Sequence, residues 1–242
     1  MEWLEKHIIS FSGGKDSTAM LLMMLEKDMQ IDEIVCCDTG VEFPEMYEHI
    51  KKVEKYIKGS IKILKAKNNF EYMMLEHKKR NGTLGYAWPS MMNRWCTSYL
   101  KKDVVRRYLN KYKKQGYEIV EYHGIASDEA YRSYRNKEKN IKYPLIEWNV
   151  TEKQCLDYCY SKGFNWNGLY EQFKRVSCWC CPLKSLYELK ALYRWHPKLW
   201  NKLKQLDNKS WNNFRRDYTL EQLEERFKRE IWWEENQISM FH

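Results

Sequence analysis

Short apolar runs alternate with amphipathic stretches along the first two thirds of the chain. "HIISFS" (7–12) and "EIVCCD" (33–38) are rich in β-branched residues and read as strands. Between them, "STAMLLMMLEKDM" has the apolar positions of a helix packed on a sheet. A proline-opened helix follows in "PEMYEHIKKVEKYIK", then a strand in "SIKILKA", a helix near "FEYMMLEHKKR", a long helix through "LKKDVVRRYLNKYKK" and a strand in "EIVEYHGI". Such alternation predicts an α/β fold, a doubly wound and mainly parallel sheet covered on both faces. Ligands in such sheets bind beyond the carboxyl ends of the strands, where "SGGKDS", "DTG" and "HGIASDE" fall.

The pattern changes after residue 148. Thr151 with Gln154, and Thr219 with Gln222, have capping-box spacing ahead of helical segments. From Leu183 onward the chain reads as helix almost throughout, broken or kinked at Pro197. The expected division is a nucleotide-binding domain over 1–182 and a helical subdomain over 183–242.

The glycine turn after the first strand, "IISFSGGKDS", fits neither the P-loop, which needs Ser or Thr where Asp16 stands and Gly where Ile9 stands, nor GxGxxG. Its strand–turn–helix context still aims backbone N–H groups at an anion. Ser12, Gly13 and Gly14 allow the backbone to approach phosphate oxygens, Lys15 adds a positive charge, and Ser17 caps the helix or binds an oxygen. Asp16 orients Lys15, holds Mg2+, or is an acid favoured in a first helical turn.

Composition sharpens the picture in two ways. The 242 residues carry a net charge of +9, which favours anionic partners such as nucleotides or nucleic acid, although each basic run also suits a solvated helix face. No segment reads as a signal peptide or a membrane span, so a cytoplasmic protein is expected, in which eight cysteines point to metal or sulfur chemistry rather than disulfides.

In order along the chain, "SGGKDS" resembles the pyrophosphate-binding loop of the adenine-nucleotide alpha-hydrolase superfamily. "DTGVEFPEMY", "RWCTSYLK", "GIASDEAYRSY", "YPLIEW" and "NGLYEQFKRVSCWCCP" resemble motifs of the phosphoadenosine phosphosulfate reductase family. Together they span roughly residues 7 to 185. The resemblance implies a fold that binds ATP, adenylyl sulfate or phosphoadenylyl sulfate with Mg2+, through residues 12–17 and the Asp38-Thr39-Gly40 turn. An Asx-type turn would use the same three residues. In "GIASDEAYRSYR", Gly124, Asp128, Arg132 and Arg135 lie where the family meets phosphate or sulfate, the arginines as a bidentate clamp or as ordinary helical ion pairs. Arg94 and Lys101 carry the same ambiguity. Lys15, Asp16 and Asp128 are the expected catalytic residues.

Cys178 and Cys181 form a C-x-x-C, and Cys96 precedes Cys178 by 82 positions. This layout resembles the cluster-bearing adenylyl sulfate reductases and the DNA phosphorothioation sulfurtransferases. The reductases, however, have two adjacent cysteines where this chain has Cys96 and Thr97. The fourth ligand is either Cys180, which adjoins Cys181 awkwardly, or an exogenous one. A [4Fe-4S] cluster is expected ahead of Zn2+, and a metal-free set of core thiols third. Cys155 and Cys159, i,i+4 on an amphipathic helix, read as buried core thiols, as do Cys36 and Cys37 by default. "RWHPKLWNKLKQ" interleaves rings with positive charge as in nucleic-acid binding, but a helix whose aromatic stripe packs on the core is the favoured reading.

Those reductases take the sulfonate on a cysteine near the C-terminus, whereas the 61 residues after Cys181 contain none. The expectation is therefore an ATP-dependent sulfurtransferase that adenylates its acceptor, a nucleic acid being consistent with the charge, with self-association a further expectation. The alternatives are a reductase releasing sulfite and a non-catalytic nucleotide-binding protein stapled by metal.

Overall fold

The computed structural model describes residues 4–135 and 140–239. Five parallel strands form one sheet in the order β3-β2-β1-β4-β5: β1 (Glu5–Phe11), β2 (Glu33–Asp38), β3 (Lys62–Lys65), β4 (Glu118–His123) and β5 (Ile141–Lys142). β1 is central, pairing Ile9 with Ile34 of β2 on one side and with Tyr122 of β4 on the other. Alternation along β1 assigns the layers, because successive side chains leave opposite faces. Ile9 and Phe11 enter the main core with Met20, Leu21 and Met24 of α1 (Lys15–Glu26) and Met46 and Val53 of α2 (Pro44–Ile57). Ile8 enters a smaller core on the other face with Val35 and Leu64. The expected doubly wound sheet is thus present.

The helix expected near residues 70–80 is α3 (Phe70–Leu75) and stops early. Its terminal carbonyls are taken by the returning chain, Tyr86 N–H donating to Met73 O at 3.0 Å and Ala87 N–H to Met74 O at 2.8 Å. The long helix starts as a short turn, α4 (Trp95–Thr97), passes through a π-helical segment (Ser98–Lys102) and continues as α5 (Asp103–Lys114), which places Val104 and Leu109 in the second core. A π segment of this kind is frequent at functional sites.

A 3₁₀ segment (Ser127–Arg135) follows β4, and α6 (Pro144–Glu147) follows β5, a two-residue strand that the sequence does not announce. α7 (Glu152–Ser161) packs along α1 and opens with the expected capping box. α8 (Leu169–Gln172) leads to the cysteine turn. Three helices complete the described chain: α9 (Leu186–Trp195), α10 (Pro197–Lys209) and α11 (Leu220–Ser239). The break falls at Pro197, as its missing N–H requires. Thr219 and Gln222 make their reciprocal cap at 2.9 and 3.3 Å. No helix among the described residues is long and apolar enough to cross a membrane.

Candidate functional site

The glycine turn sits between β1 and α1 at the carboxyl edge of the sheet. Gly13 has φ +76°, a conformation glycine adopts without steric cost. Serines close the turn on itself: Ser12 Oγ and Ser17 Oγ are 3.0 Å apart, Gly14 N–H donates to Ser12 Oγ at 3.4 Å, and Ser17 Oγ donates to Gly14 O at 3.1 Å. Two aromatic residues brace it from afar. Trp166 Nε1–H donates to Gly13 O, and Lys15 N–H donates to the Tyr170 hydroxyl, both at 2.8 Å. His49 stacks on Trp166 at 4.3 Å and contacts Thr18 Oγ1 through Nε2 at 3.0 Å.

Gly124 closes the turn from the β4 side. A Cβ there would lie 2.8 Å from Ser17 N and Cα, which are backbone atoms of the first turn of α1. Gly124→Ala should therefore push α1 off the strand edge, costing about 1–3 kcal/mol of stability. Urea unfolding that leaves the midpoint unchanged would show that the two segments separate freely.

Lys15 is buried, with Nζ 2.5 Å from Glu152 Oε1 and 3.3 Å from Asp16 Oδ1. Burial acts to lower its pKa, but Asp16 and Glu152 together hold it above the ordinary lysine value. Burial pushes the Asp16 carboxyl up despite Lys15, and its buried Oδ1 accepts no hydrogen bond. Asp16, Glu129 and Glu152 bring one oxygen each within 4.8 Å of one another, a donor set suited to a hard divalent cation. Asp128 accepts the Glu152 N–H at 3.0 Å at the start of α7, and Arg132 pairs with Glu129. Arg135 ends the 3₁₀ segment, and its side chain lies outside the described residues.

The β2–α2 turn carries the second group. Asp38 Oδ1 accepts from Gly40 N–H at 2.8 Å and from the Tyr47 hydroxyl at 2.7 Å, while Lys65 approaches Oδ2 at 3.1 Å. Burial acts to raise its pKa, but these donors hold it below the usual carboxylate range. The Asx turn weighed from the sequence is present. Thr39 Oγ1 donates to Glu42 Oε1 at 2.9 Å. A pocket of about 220 Å3 opens here, with Met46, Ile50 and Ile63 as apolar walls and Ser12, Asp38 and Lys65 at its polar end. Ser12 also lines a larger cleft of about 780 Å3 that reaches Glu42, Lys101, Arg106 and His123.

The cysteine turn docks directly onto this segment. Trp179 N–H donates to Val41 O at 3.1 Å, and Cys178 Sγ lies 3.5 Å from Glu42 Oε1 and 3.8 Å from Thr39 Oγ1. Lys101, from the π-helical segment, approaches Glu42 at 3.5 Å. Burial, then the Glu42 carboxylate, pushes the Cys178 thiol up to about 12. Burial also raises the Cys96 thiol, and Cys181 adds to that rise electrostatically. Among the described residues no three cysteines bring their sulfurs within 4.8 Å of one another. A single tetrahedral zinc, with Zn–S of about 2.3 Å, would need them at about 4 Å. Three thiols are donors of the kind that an iron-sulfur cluster or a zinc ion takes as thiolates. Cys180 is 1% exposed and belongs to the main core, where burial raises its pKa well above the ordinary value. Arg94 is exposed at the start of α4.

Cys155 and Cys159 are core thiols, as expected, although Cys159 Sγ also contacts Lys15 O at 3.5 Å beneath the glycine turn. Trp166 and Glu152 escape the sequence reading because their roles depend on contacts with residues far away in the chain.

A glycine turn between strand and helix, an acidic cluster beside it and a thiol turn docked on the β2–α2 turn lie together at the carboxyl edge of the sheet. The chain belongs to the phosphoadenosine phosphosulfate reductase domain family, whose model matches residues 6–184. Two uncharacterised proteins of Methanocaldococcus jannaschii are 29% identical over 203 residues and 28% identical over 224. These alignments cover 80% and 87% of the chain but 45% and 42% of the relatives, so the chain spans less than half their length. Among solved structures, a phosphoadenylyl-sulfate reductase of Candida auris in complex with phosphate matches at 19% identity and TM-score 0.46, covering 71% of this chain and 81% of that one. A U34-tRNA thiolase of Methanococcus maripaludis with its [4Fe-4S] cluster matches at 13% identity and TM-score 0.41, covering 94% and 73%.

Proposed function

We propose that the protein is an ATP-dependent sulfurtransferase that adenylates an acceptor oxygen and then replaces it with sulfur. One observation carries this reading: the β2–α2 turn is shared, with Asp38 facing the pocket beside Ser12 while Thr39 and Glu42 touch Cys178. Nucleotide and sulfur chemistry would then meet within one turn of chain.

In the adenylation step the acceptor oxygen attacks the α-phosphorus of ATP, a P–O bond forms, and the α–β phosphoanhydride bond breaks to release pyrophosphate. The Gly13 N–H, the Ser12 hydroxyl and the Lys15 ammonium would hold the departing phosphates, with Lys15 Nζ kept in place by Glu152 and Asp16. Asp16, Glu129 and Glu152 would hold Mg2+. In the second step a sulfide-level sulfur attacks the activated carbon and the C–O bond to AMP breaks. Cys96, Cys178 and Cys181 would hold a [4Fe-4S] cluster, which supplies an iron able to bind that sulfur; Cys180 remains the alternative fourth ligand. The basic wall of the larger cleft, including Lys101 and Arg106, suits a nucleic-acid acceptor.

The remaining thiols support transfer over reduction. Burial, then Cys37, pushes Cys36 up to about 12, and burial, then Asp16, pushes Cys159 up to about 12. Such thiols are poor nucleophiles toward a sulfonate. The test is an anaerobic assay of ATP–pyrophosphate exchange against thioredoxin-dependent release of sulfite from adenylyl sulfates. Exchange without sulfite is expected; sulfite without exchange would make the protein a reductase.

A further inference from the structure

Among the described residues, two lysines are buried, Lys15 at 7% exposure and Lys184 at 3%. Lys15 follows the rule for buried charge, with two carboxylates against its ammonium. Lys184 does not. Its Nζ lies 4.8 Å from the Phe173 ring centroid and 5.5 Å from that of Phe43, and it donates one long hydrogen bond, to Ser177 Oγ at 3.4 Å. No described carboxylate lies within 4.0 Å of it. Glu188, one turn on, is engaged in capping Ser185.

The position is built rather than incidental. Lys184 N–H donates to Cys181 O at 3.1 Å, and Lys184 O accepts from Arg215 at 2.8 Å. The side chain returns to Ser177, the residue before Cys178, so the lysine closes the cysteine turn at both ends. Two aromatic faces attract a cation but do not neutralise it, and a buried ammonium without an anion is costly. Glu188 acts on the ammonium only from a distance, and the other anionic groups close to it are the thiolates that Cys181 and Cys178 become when they bind metal.

We propose that Lys184 is the counter-charge of a thiolate-held group at Cys96, Cys178 and Cys181, a positioning residue that favours the loaded and, for a redox-active group, the reduced form. The inference rests on the cysteine reading above. Loading places net negative charge beside the ammonium, and reduction adds one more negative charge without moving a bond. The lysine is therefore unfavourable in the metal-free protein and favourable in the loaded one.

The full-length chain, with Lys184→Met and Lys184→Arg variants, would be reconstituted anaerobically with iron and sulfide, and the metal-free forms titrated with Co(II). Metal-free Lys184→Met should melt at or above wild type, because an unpaired buried charge has been removed. The same variant should bind Co(II) at least roughly tenfold more weakly, and any cluster should be harder to reduce by a similar factor, about 59 mV for one electron. Lys184→Arg should stay close to wild type in both. A residue that only packs would lower the melting temperature of both forms and leave the potential unmoved, which would overturn the proposal. So would wild-type affinity and potential in Lys184→Met. Should the wild type take up neither iron nor Co(II), the cysteine reading itself falls.

Discussion

Lys15→Ala is expected to weaken binding of ATP or of an adenylyl sulfate roughly a hundredfold, the loss of one charge-assisted contact of up to about 3 kcal/mol. The structure adds a second effect that the sequence does not show. Asp16 and Glu152 lose their shared cation, so the metal-free protein should also lose stability at neutral pH, by about 2 kcal/mol. This is less than for a fully buried pair, because Glu152 is 37% exposed. The deficit should depend on pH with a defined sign. Burial already holds the Asp16 carboxyl above its unfolded value, and removing Lys15 removes a cause that opposes this. A carboxyl whose folded pKa is raised favours the folded state only when protonated, so the stability gap between variant and wild type should narrow as pH falls through that raised value. Calorimetric titration with both nucleotides, and denaturant midpoints at pH 7 and pH 4.5, measure the two effects separately. Unchanged affinity would remove the glycine turn from the site, and a gap that widens in acid would reverse the electrostatic account.

Single serine variants at Cys96, Cys178 and Cys181 are each expected to reduce bound metal at least roughly tenfold, since the thiolates act as a set. Cys180→Ser and Cys155→Ser should keep it, because both side chains are packed in the main core. Wild-type protein prepared anaerobically should be brown, and iron and acid-labile sulfide analysis of all five variants checks the assignment. Full metal content in all three members of the set would end it, and loss in Cys180→Ser would make that residue the fourth ligand.

The sheet was legible because β-branched runs and the changing hydrophobic period state it directly, and β1 shows why: Ile8 and Ile9 serve two different cores. Capping residues were equally legible, Thr151 and Thr219 having the spacing that the reciprocal hydrogen bonds require. The glycine turn and the cysteines stood out as local spacings. What did not stand out was the support behind them. Trp166, Tyr170 and Glu152 reach Gly13 and Lys15 across 153, 155 and 137 positions of sequence, and no local pattern encodes such a meeting. The early end of α3 has the same origin, its last carbonyls being claimed by a segment that returns later.

The turn after β2 has one more consequence. Asp38 faces the pocket beside Ser12, while Val41 O and Glu42 anchor the cysteine turn within four residues. If both sites are filled as proposed, any preference of the tether for one filled site would appear, by the same factor, as a preference at the other. A nucleotide that favours the arrangement of residues 38–42 on which the cysteine turn docks would raise the affinity for a Cys178-held ligand as much as that ligand raises the affinity for nucleotide. The protein would then sense whether sulfur is loaded before it commits ATP.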